Sequence, residues 1–490
     1  MFNRKARAYL RAGQLVLGAA LVTGLAGASG CLERPLKAVG PRSTAVISEK
    51  LTQSAVDKID LVLAIDNSRS MADKQQILAL AVPDLVKGLV NPACIDPANG
   101  AVVSTPDGPL ADCPTGTKRD FDPVVDIHIG IISSSLGGHG SDACNASAAG
   151  KASNDDKGHL LSRKDPTTSD MVATYQDFGF LAWDPKQKLN PAGEADIDAD
   201  SAADPNNTAL VPSLRDMVIG VGQIGCGYEA QLESMMQALN PSAQWNQGAL
   251  PFLRQGAVLA IVVVTDEADC SVLAPGGYEF FDDANIDDPN YSQYWNTDPK
   301  DSKKKVTSAV CWNGGVNCTD ANNDGIYESC TSADKTVLHP STSRYIKFLR
   351  DVLIVQEKKD VIMLGILGVP PVTAHNPEPP YEPIAGGVKD LVYRQWKDGP
   401  YPGGDILPGD TGTAASKQFE FGIGPGCTGE DGVGGFTGQA IPPVRIKEVC
   451  ESLNEGDKIR CCIESICDDD FSDAIQCLSG LLQESFAPVG

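Results

Sequence analysis

The stretch from 59 to 75, IDLVLAIDNSRSMADKQ, constrains the fold more than any other part of the chain. Its first seven residues form an apolar run typical of a buried parallel strand, and ligands of open α/β sheets bind beyond the carboxyl ends of such strands. Asp66, Ser68 and Ser70 follow the run directly. A carboxylate and two hydroxyls at alternating positions suit Mg²⁺ or Mn²⁺. The alternative is that the serines cap a helix and the aspartate closes a turn.

The D-x-S-x-S pattern, placed between an apolar strand and a helix and followed by Met71, resembles the metal-ion-dependent adhesion site of von Willebrand factor type A (VWA) domains. The resemblance implies an α/β fold with a doubly wound, mostly parallel central sheet and helices on both faces, of the VWA or Rossmann-like kind. It covers residues 57–490 discontinuously, with long loop insertions stapled by disulfides.

A second apolar run, AVLAIVVV at 257–264, ends in Thr265 and Asp266. In the resembled domains, a strand ending in this dipeptide supplies the distal aspartate of the metal site. The resemblance therefore implies Asp266 as the fourth member of the set with Asp66, Ser68 and Ser70. The alternative for Asp266 is that it caps a following helix.

The third loop of the predicted site departs from the family pattern. The resembled domains usually supply a threonine as another metal ligand at the position where this chain has Cys226, between Gly225 and Gly227. A thiol in a disulfide cannot replace a threonine hydroxyl. Glu229 and Thr265 are the candidates for an additional metal ligand.

The charge balance limits the classes of partner. The chain of 490 residues has 40 basic and 64 acidic side chains, which gives a formal net charge of -24. Such a balance argues against nucleic acid and anionic lipid headgroups as partners and favours cations or basic surfaces. For most of these carboxylates, the simpler interpretation is a solvated acidic surface.

The first thirty residues have the pattern of a targeting segment. A basic region ends near Arg11, an apolar stretch runs from 15 to 26, and small residues precede Cys31. This resembles a bacterial lipoprotein signal peptide at 1–30, with lipid attached to Cys31 and a tether at 31–56. Leu32 after the cysteine implies the outer membrane rather than the inner one, so we expect an exported protein anchored in the cell envelope. The alternative is ordinary secretion with an incidental cysteine.

Fourteen further cysteines predict a disulfide framework formed in an oxidising compartment. Their clustering favours a bridge between Cys94 and Cys113, and bridges within 311–330 and within 450–477. Zinc binding is disfavoured, because the chain has no Cys-x-x-Cys pairs at ribbon spacing and only five histidines.

The segment DANNDGIYE resembles the front of an EF-hand calcium loop. Thr331 stands where the bidentate glutamate of a complete loop would be, so the alternative is a plain turn rich in Asn, Asp and Gly. The predicted Ca²⁺ ligands are Asp320, Asn322, Asp324, the carbonyl of Ile326, and Glu328.

The order of apolar segments predicts alternating strands and helices, and hence a mostly parallel sheet covered on both faces. The resemblance implies about two strands more than the four strong ones. We predict strands at 59–65, 124–132, 257–264 and 361–369, and a weaker strand pair at 158–161 and 178–183. We predict helices at 71–90 (bent or divided at Pro83), 228–239, 342–358, 446–453 and 470–486. Long insertions are predicted near 91–120, 133–213, 271–340 and 370–445.

The function expected from the resemblance is ligand binding through the metal, with a protein or polysaccharide bearing an acidic group as the partner. The motif pair and the cysteines resemble secreted lipoproteins of soil bacteria such as myxobacteria. We expect no enzymatic activity, since the sequence has no G-x-S-x-G, H-E-x-x-H or Walker-type motif. The alternatives are a structural, disulfide-rich envelope protein with an idle metal site and, less favoured, a metal-dependent hydrolase.

Overall fold

A computed structural model describes the fold from residue 58 onward. All the described residues belong to one compact unit. The predicted signal peptide, the tether and the lipidation site Cys31 lie outside the described residues. The described ranges are 58–99, 101–119, 122–137, 143–148, 150–198, 209–272, 278–333, 338–430 and 435–486.

A six-stranded sheet organises the described part of the chain. Its spatial order is β6-β5-β4-β1-β2-β3, and every neighbouring pair is parallel except β2 and β3. The strands are β1 (Ile59–Ile65), β2 (Ile127–Ser133), β3 (Phe180–Trp183), β4 (Val258–Val264), β5 (Asp360–Leu367) and β6 (Cys461–Ser465).

The four strong strand predictions are confirmed within a few residues, and so is the prediction of a mostly parallel sheet. The predicted partner strand at 158–161 is wrong. Leu161 donates its main-chain N–H to Ile131 at 2.8 Å, beside β2, but the segment forms no ladder. Only the second half of that predicted pair forms a strand, β3, which lies at the edge of the sheet within the predicted insertion 133–213.

Alternating side chains of the sheet enter two separate apolar cores, as the two-residue period of a strand requires. Leu61, Leu63 and Ile65 of β1 belong to one core, and Val62 and Ala64 to the other. The first core includes side chains of helices α1 (Ala72–Val90), α2 (Leu210–Gly220) and α5 (Ser472–Phe486). The second core includes side chains of α3 (Gln231–Ala238), of α4 (Val444–Glu451) and of a π-type helix in two segments, Ser341–Ile346 and Phe348–Gln356.

The first helix, predicted to be bent or divided at Pro83, is not divided there. Helix α1 runs without interruption from Ala72 to Val90 with Pro83 inside it. A proline removes one main-chain hydrogen bond from a helix interior. Here the buried side chains of Leu78, Val82 and Val86 anchor the helix to the first core on both sides of the proline. Among the described residues, no helix is long and apolar enough to span a membrane.

The described residues of the long insertions form short hairpins and helices, and no second sheet of comparable size. The paired short strands are Cys94–Ile95 with Val102–Ser104 and Lys118–Arg119, Asn296–Thr297 with Lys304–Lys305, Val316–Thr319 with Ser329–Ser332, Ile326–Tyr327 with Tyr393–Arg394, Val372–His375 with Pro383–Gly386, and Cys427–Glu430 with Phe436–Ala440. The other α-helical segments are Pro289–Ser292, Ala309–Gly315 and Ala414–Phe421. The 3₁₀ turns are Arg69–Met71, Ala152–Asn154, Tyr175–Asp177, Gln244–Asn246, Tyr278–Phe281, Asp283–Asn285 and Gly387–Asp390.

All fourteen cysteines of the described residues are paired, which confirms the predicted disulfide framework. The bridge between Cys94 and Cys113 is as predicted, and three more join cysteines within the predicted clusters. In each of the two predicted clusters, one cysteine forms its disulfide with a cysteine outside the cluster, because the fold brings distant segments together. The remaining bridges are Cys144–Cys226, Cys270–Cys311, Cys318–Cys330, Cys427–Cys467, Cys450–Cys461 and Cys462–Cys477.

Candidate metal-binding site

The two predicted metal loops leave the sheet side by side. Strands β1 and β4 are parallel neighbours, and Ile65 is paired with Val264 at their last position. Asp66 donates its main-chain N–H to the carbonyl of Val264 at 2.9 Å. Consequently Asp66 and Thr265 follow adjacent strand ends at the carboxyl edge of the sheet, where ligands of α/β folds bind.

The structure brings together the four residues predicted to bind the metal. The hydroxyls of Ser68 and Ser70 share a hydrogen bond of 2.9 Å, and the Ser70 hydroxyl donates to Asp266 Oδ1 at 3.1 Å. Asp66 is fully buried beneath them, whereas Ser70 is exposed. The side-chain oxygens of the site therefore extend from the buried carboxylate of Asp66 to the solvent-exposed hydroxyl of Ser70.

Asp66 is held in place through both carboxylate oxygens. Its Oδ1 accepts the main-chain N–H of Ser68 at 2.8 Å, and its Oδ2 accepts the hydroxyl of Thr265 at 2.7 Å. Gln231, on helix α3, donates its side-chain amide to the same threonine hydroxyl at 2.7 Å. Burial raises the pKa of Asp66, and these hydrogen bonds oppose that effect. Thr265, predicted as a possible ligand, thus braces Asp66 through its hydroxyl.

Two further carboxyl groups, those of Glu229 and Glu267, are electrostatically coupled to this region. Burial raises the pKa of Glu229 well above its usual range, and the negative charges of Asp66, Glu267 and Asp266 raise it further. The pKa of Glu267 is raised in the same way. Glu229 Oε1 is buried and has no hydrogen-bond partner within the described residues. A cation near these four carboxyl groups would offset their mutual repulsion.

The loop that contains Cys226 supports the site through Asn67, the residue next to Asp66. Cys226 is disulfide-bonded to Cys144, so its sulfur is not a free thiol ligand. Its main-chain N–H donates to the Ser135 hydroxyl at 2.9 Å, and that hydroxyl donates to Asn67 Oδ1 at 2.7 Å. Gly225 has no room for a side chain, because a Cβ atom there would lie 2.1 Å from Asn67 Oδ1. This loop therefore fixes the residue next to Asp66.

The donor set is mixed, and this bears on which metals it fits. Over the ranges that the structure describes, no group of three or more His, Cys, Asp or Glu side chains is arranged to hold a metal ion. The predicted set has only two carboxylates, Asp66 and Asp266, and depends on the hydroxyls of Ser68 and Ser70. Such oxygen donors fit Mg²⁺ or Mn²⁺, which retain water ligands, better than zinc.

The predicted calcium loop is an exposed turn between the strands that contain Cys318 and Cys330, which are paired and disulfide-bonded. Its side-chain oxygens accept main-chain N–H groups, as in a plain Asx-type turn. Asp320 accepts from Asp324 at 3.1 Å and from Gly325 at 3.0 Å; Asn322 accepts from Asp324 at 3.2 Å; Asp324 accepts from Ile326 at 2.9 Å; Glu328 accepts from Ala321 at 3.1 Å. Calcium binding here stays a prediction.

Sequence reasoning missed the residues that support the site. Gln231 holds Thr265, and Asn67 holds the third loop. Gln75 donates its side-chain amide to the carbonyl of Asp66 at 3.3 Å. Glu267 is a further carboxyl group next to Asp266, and its place in the sequence directly after Asp266 could have identified it. The others show no signal in the sequence, because each acts on a partner supplied by the fold.

Comparison of the chain with protein-family models, with curated proteins and with solved structures finds no match. The argument for function therefore depends on the geometry of the site.

Proposed function

We propose that the protein is a binding module that depends on a divalent cation, held by Asp66, Ser68, Ser70 and Asp266 in a doubly wound, VWA-like domain. The observation that carries the proposal is the hydrogen bond of 3.1 Å from Ser70 to Asp266, which joins the loops after β1 and β4. Hydroxyls and a carboxylate that come together from two strand ends support a shared cation at this point.

Mg²⁺ or Mn²⁺ bound here would supply a positive charge and open coordination positions for an oxygen ligand. The protein's part is to fix the donors: Thr265 and the N–H of Ser68 orient Asp66, while the exposed Ser70 opens the site to solvent. A carboxylate of a protein or polysaccharide partner fits such a position. We propose binding rather than catalysis, because the sequence offers no convincing nucleophile with an adjacent base.

We further propose that the protein is exported and held in the bacterial envelope by lipid on Cys31. Seven disulfides in the described residues support an oxidising compartment, where such bonds form and persist. The small residues before Cys31 support lipid attachment.

Retention on a carboxymethyl matrix tests this function. An acidic protein is repelled by such a matrix, so retention requires a bridging cation. We expect retention in Mg²⁺, release by EDTA, and loss of retention in Asp66→Ala. The matched control is Asp320→Ala, which removes an acid from the exposed calcium-like loop and should be retained like the wild type. Retention that survives both EDTA and Asp66→Ala would contradict the proposal and favour the structural alternative.

A further inference from the structure

A cavity lies at the same edge of the sheet as the candidate metal site. Its volume is about 560 Å³. Pro370 and Pro371 follow β5, and Cys467 and Asp468 follow β6, so the cavity is formed beyond the carboxyl ends of β5 and β6, on the side of β4 away from β1. Asp469 also follows β6 and lines the cavity. The other lining residues come from the insertion at 370–445 and include Arg394, Tyr401, Asp405, Pro425, Thr428 and Glu430.

The walls of this cavity are fixed by covalent and ionic bonds. The disulfide between Cys427 and Cys467 ties the insertion to the segment after β6. Arg394 forms a two-point ion pair with Asp405, with 2.7 Å between Nη2 and Oδ1, and Asp405 is buried. Bidentate pairs of this kind hold a specific geometry. The long insertion thus forms a shaped cavity rather than a loose loop.

The charges that remain in the cavity are negative. Asp405 neutralises Arg394, which leaves the carboxylates of Glu430, Asp468 and Asp469. Within the described residues, the Asp468 carboxyl has no hydrogen bond or ion pair; Lys74 reaches its main-chain oxygen at 3.5 Å.

The surroundings of Asp468 are unfavourable for its negative charge. Burial, together with the negative charges of Glu464, Asp469 and Asp473, raises its pKa to about 7, and Lys74 opposes the shift. A carboxyl group in such a position gains from a cation that enters the cavity.

The other walls suit an aliphatic chain. Pro370, Pro371 and Pro425 offer apolar surfaces, and the ring of Tyr401 adds an aromatic one. A lysine or arginine side chain has a matching structure, because its stem packs on apolar surface while its charged head seeks carboxylates or an aromatic ring. The volume leaves room for neighbouring main chain as well.

We propose that this cavity binds a lysine or arginine side chain of a polypeptide partner. The stem lies against the prolines, and the cationic head lies among Glu430, Asp468 and Asp469. The acidic net charge of the chain guides basic partners toward it. This site is separate from the proposed metal site and does not depend on it.

Calorimetric titration of the oxidised protein with a capped peptide of two lysines between glycines tests the proposal, with the same peptide containing glutamines as reference. EDTA is present throughout, so a failure of the metal site leaves this test unaffected. We expect saturable binding of the lysine peptide and no binding of the glutamine peptide. The affinity for the lysine peptide should fall at least about tenfold in Asp468→Asn/Asp469→Asn.

The matched control is Glu455→Gln/Asp457→Asn, which removes two exposed acids from the turn before β6 and should leave the affinity unchanged. Equal binding of the lysine and glutamine peptides would overturn the proposal. So would equal weakening by the two double variants, since it would indicate attraction to the acidic surface in general.

Discussion

Thr265 donates its hydroxyl to the carboxylate of Asp66 across 2.7 Å, although the two residues are 199 positions apart in the chain. The bond joins the ends of β1 and β4, and Gln231 on helix α3 donates to the same hydroxyl. One threonine therefore links both strand ends and a helix to the most buried acid of the candidate metal site.

Replacing Thr265 by valine should remove that link with little change of shape. Asp66 Oδ2 and the Gln231 amide would each lose a partner inside the protein, which costs about 1–3 kcal/mol in the free energy of unfolding. Chemical denaturation measures the loss. Thr265→Ser keeps the hydroxyl and should retain most of the stability; equal destabilisation by both variants would contradict the role assigned to the hydroxyl.

The ion network at the opposite end of the sheet should be far more sensitive. Asp60 is fully buried and accepts from Arg254 Nε at 2.8 Å and from Lys359 Nζ at 2.7 Å. Asp60→Asn leaves two cations buried without full compensation, and we expect a loss of about 3–5 kcal/mol in denaturation experiments. The matched control is Asp198→Asn, whose partner Lys87 is largely solvated; it should cost less than about 1 kcal/mol.

Glu194 should make stability depend on pH. Burial raises its pKa to about 7, so between its ordinary pKa near 4.5 and pH 7 the folded protein keeps a proton that the unfolded chain releases. Stability therefore falls as the pH rises through this window, by up to roughly 3 kcal/mol.

Glu194→Gln keeps an acceptor for the N–H of Ala182 but has no charge to bury. We expect the variant and the wild type to have similar free energies of unfolding near pH 5, and the variant to be more stable at pH 8. A difference that does not change between the two pH values would show that burial of the charge is not its cause.

The disulfide between Cys144 and Cys226 should be structural. It closes a separation of 82 residues, and loop entropy gives it a contribution of about 4.5 kcal/mol. Cys144→Ser/Cys226→Ser should lower the midpoint of denaturation accordingly and weaken the hold on Asn67. Unchanged stability in the double variant would mean that the loop is fixed without the bridge.

The central strands and the polar loops after β1 and β4 could be predicted because their signals are local. Runs such as AVLAIVVV are long, apolar and β-branched, and the polar residues after them follow the strand ends directly. Asp66 and Asp266 therefore meet wherever β1 and β4 are neighbours, as they are here.

The remaining features depend on tertiary contacts. Strand β6 has the sequence CCIES, which lacks a strong strand pattern, and it forms because it pairs with β5. Cys311 bonds to Cys270 rather than to a nearer cysteine, since the chain between them folds back on itself. Gln231 acts on Thr265 only because α3 lies beside the carboxyl end of the sheet.

The most direct test of the central claim is a calorimetric titration of Mg²⁺ and Mn²⁺ into the oxidised protein, alongside Asp66→Ala and Asp320→Ala. The account predicts saturable binding that is lost in Asp66→Ala and kept in Asp320→Ala. Absence of binding by the wild type, or binding that persists in Asp66→Ala, would contradict it.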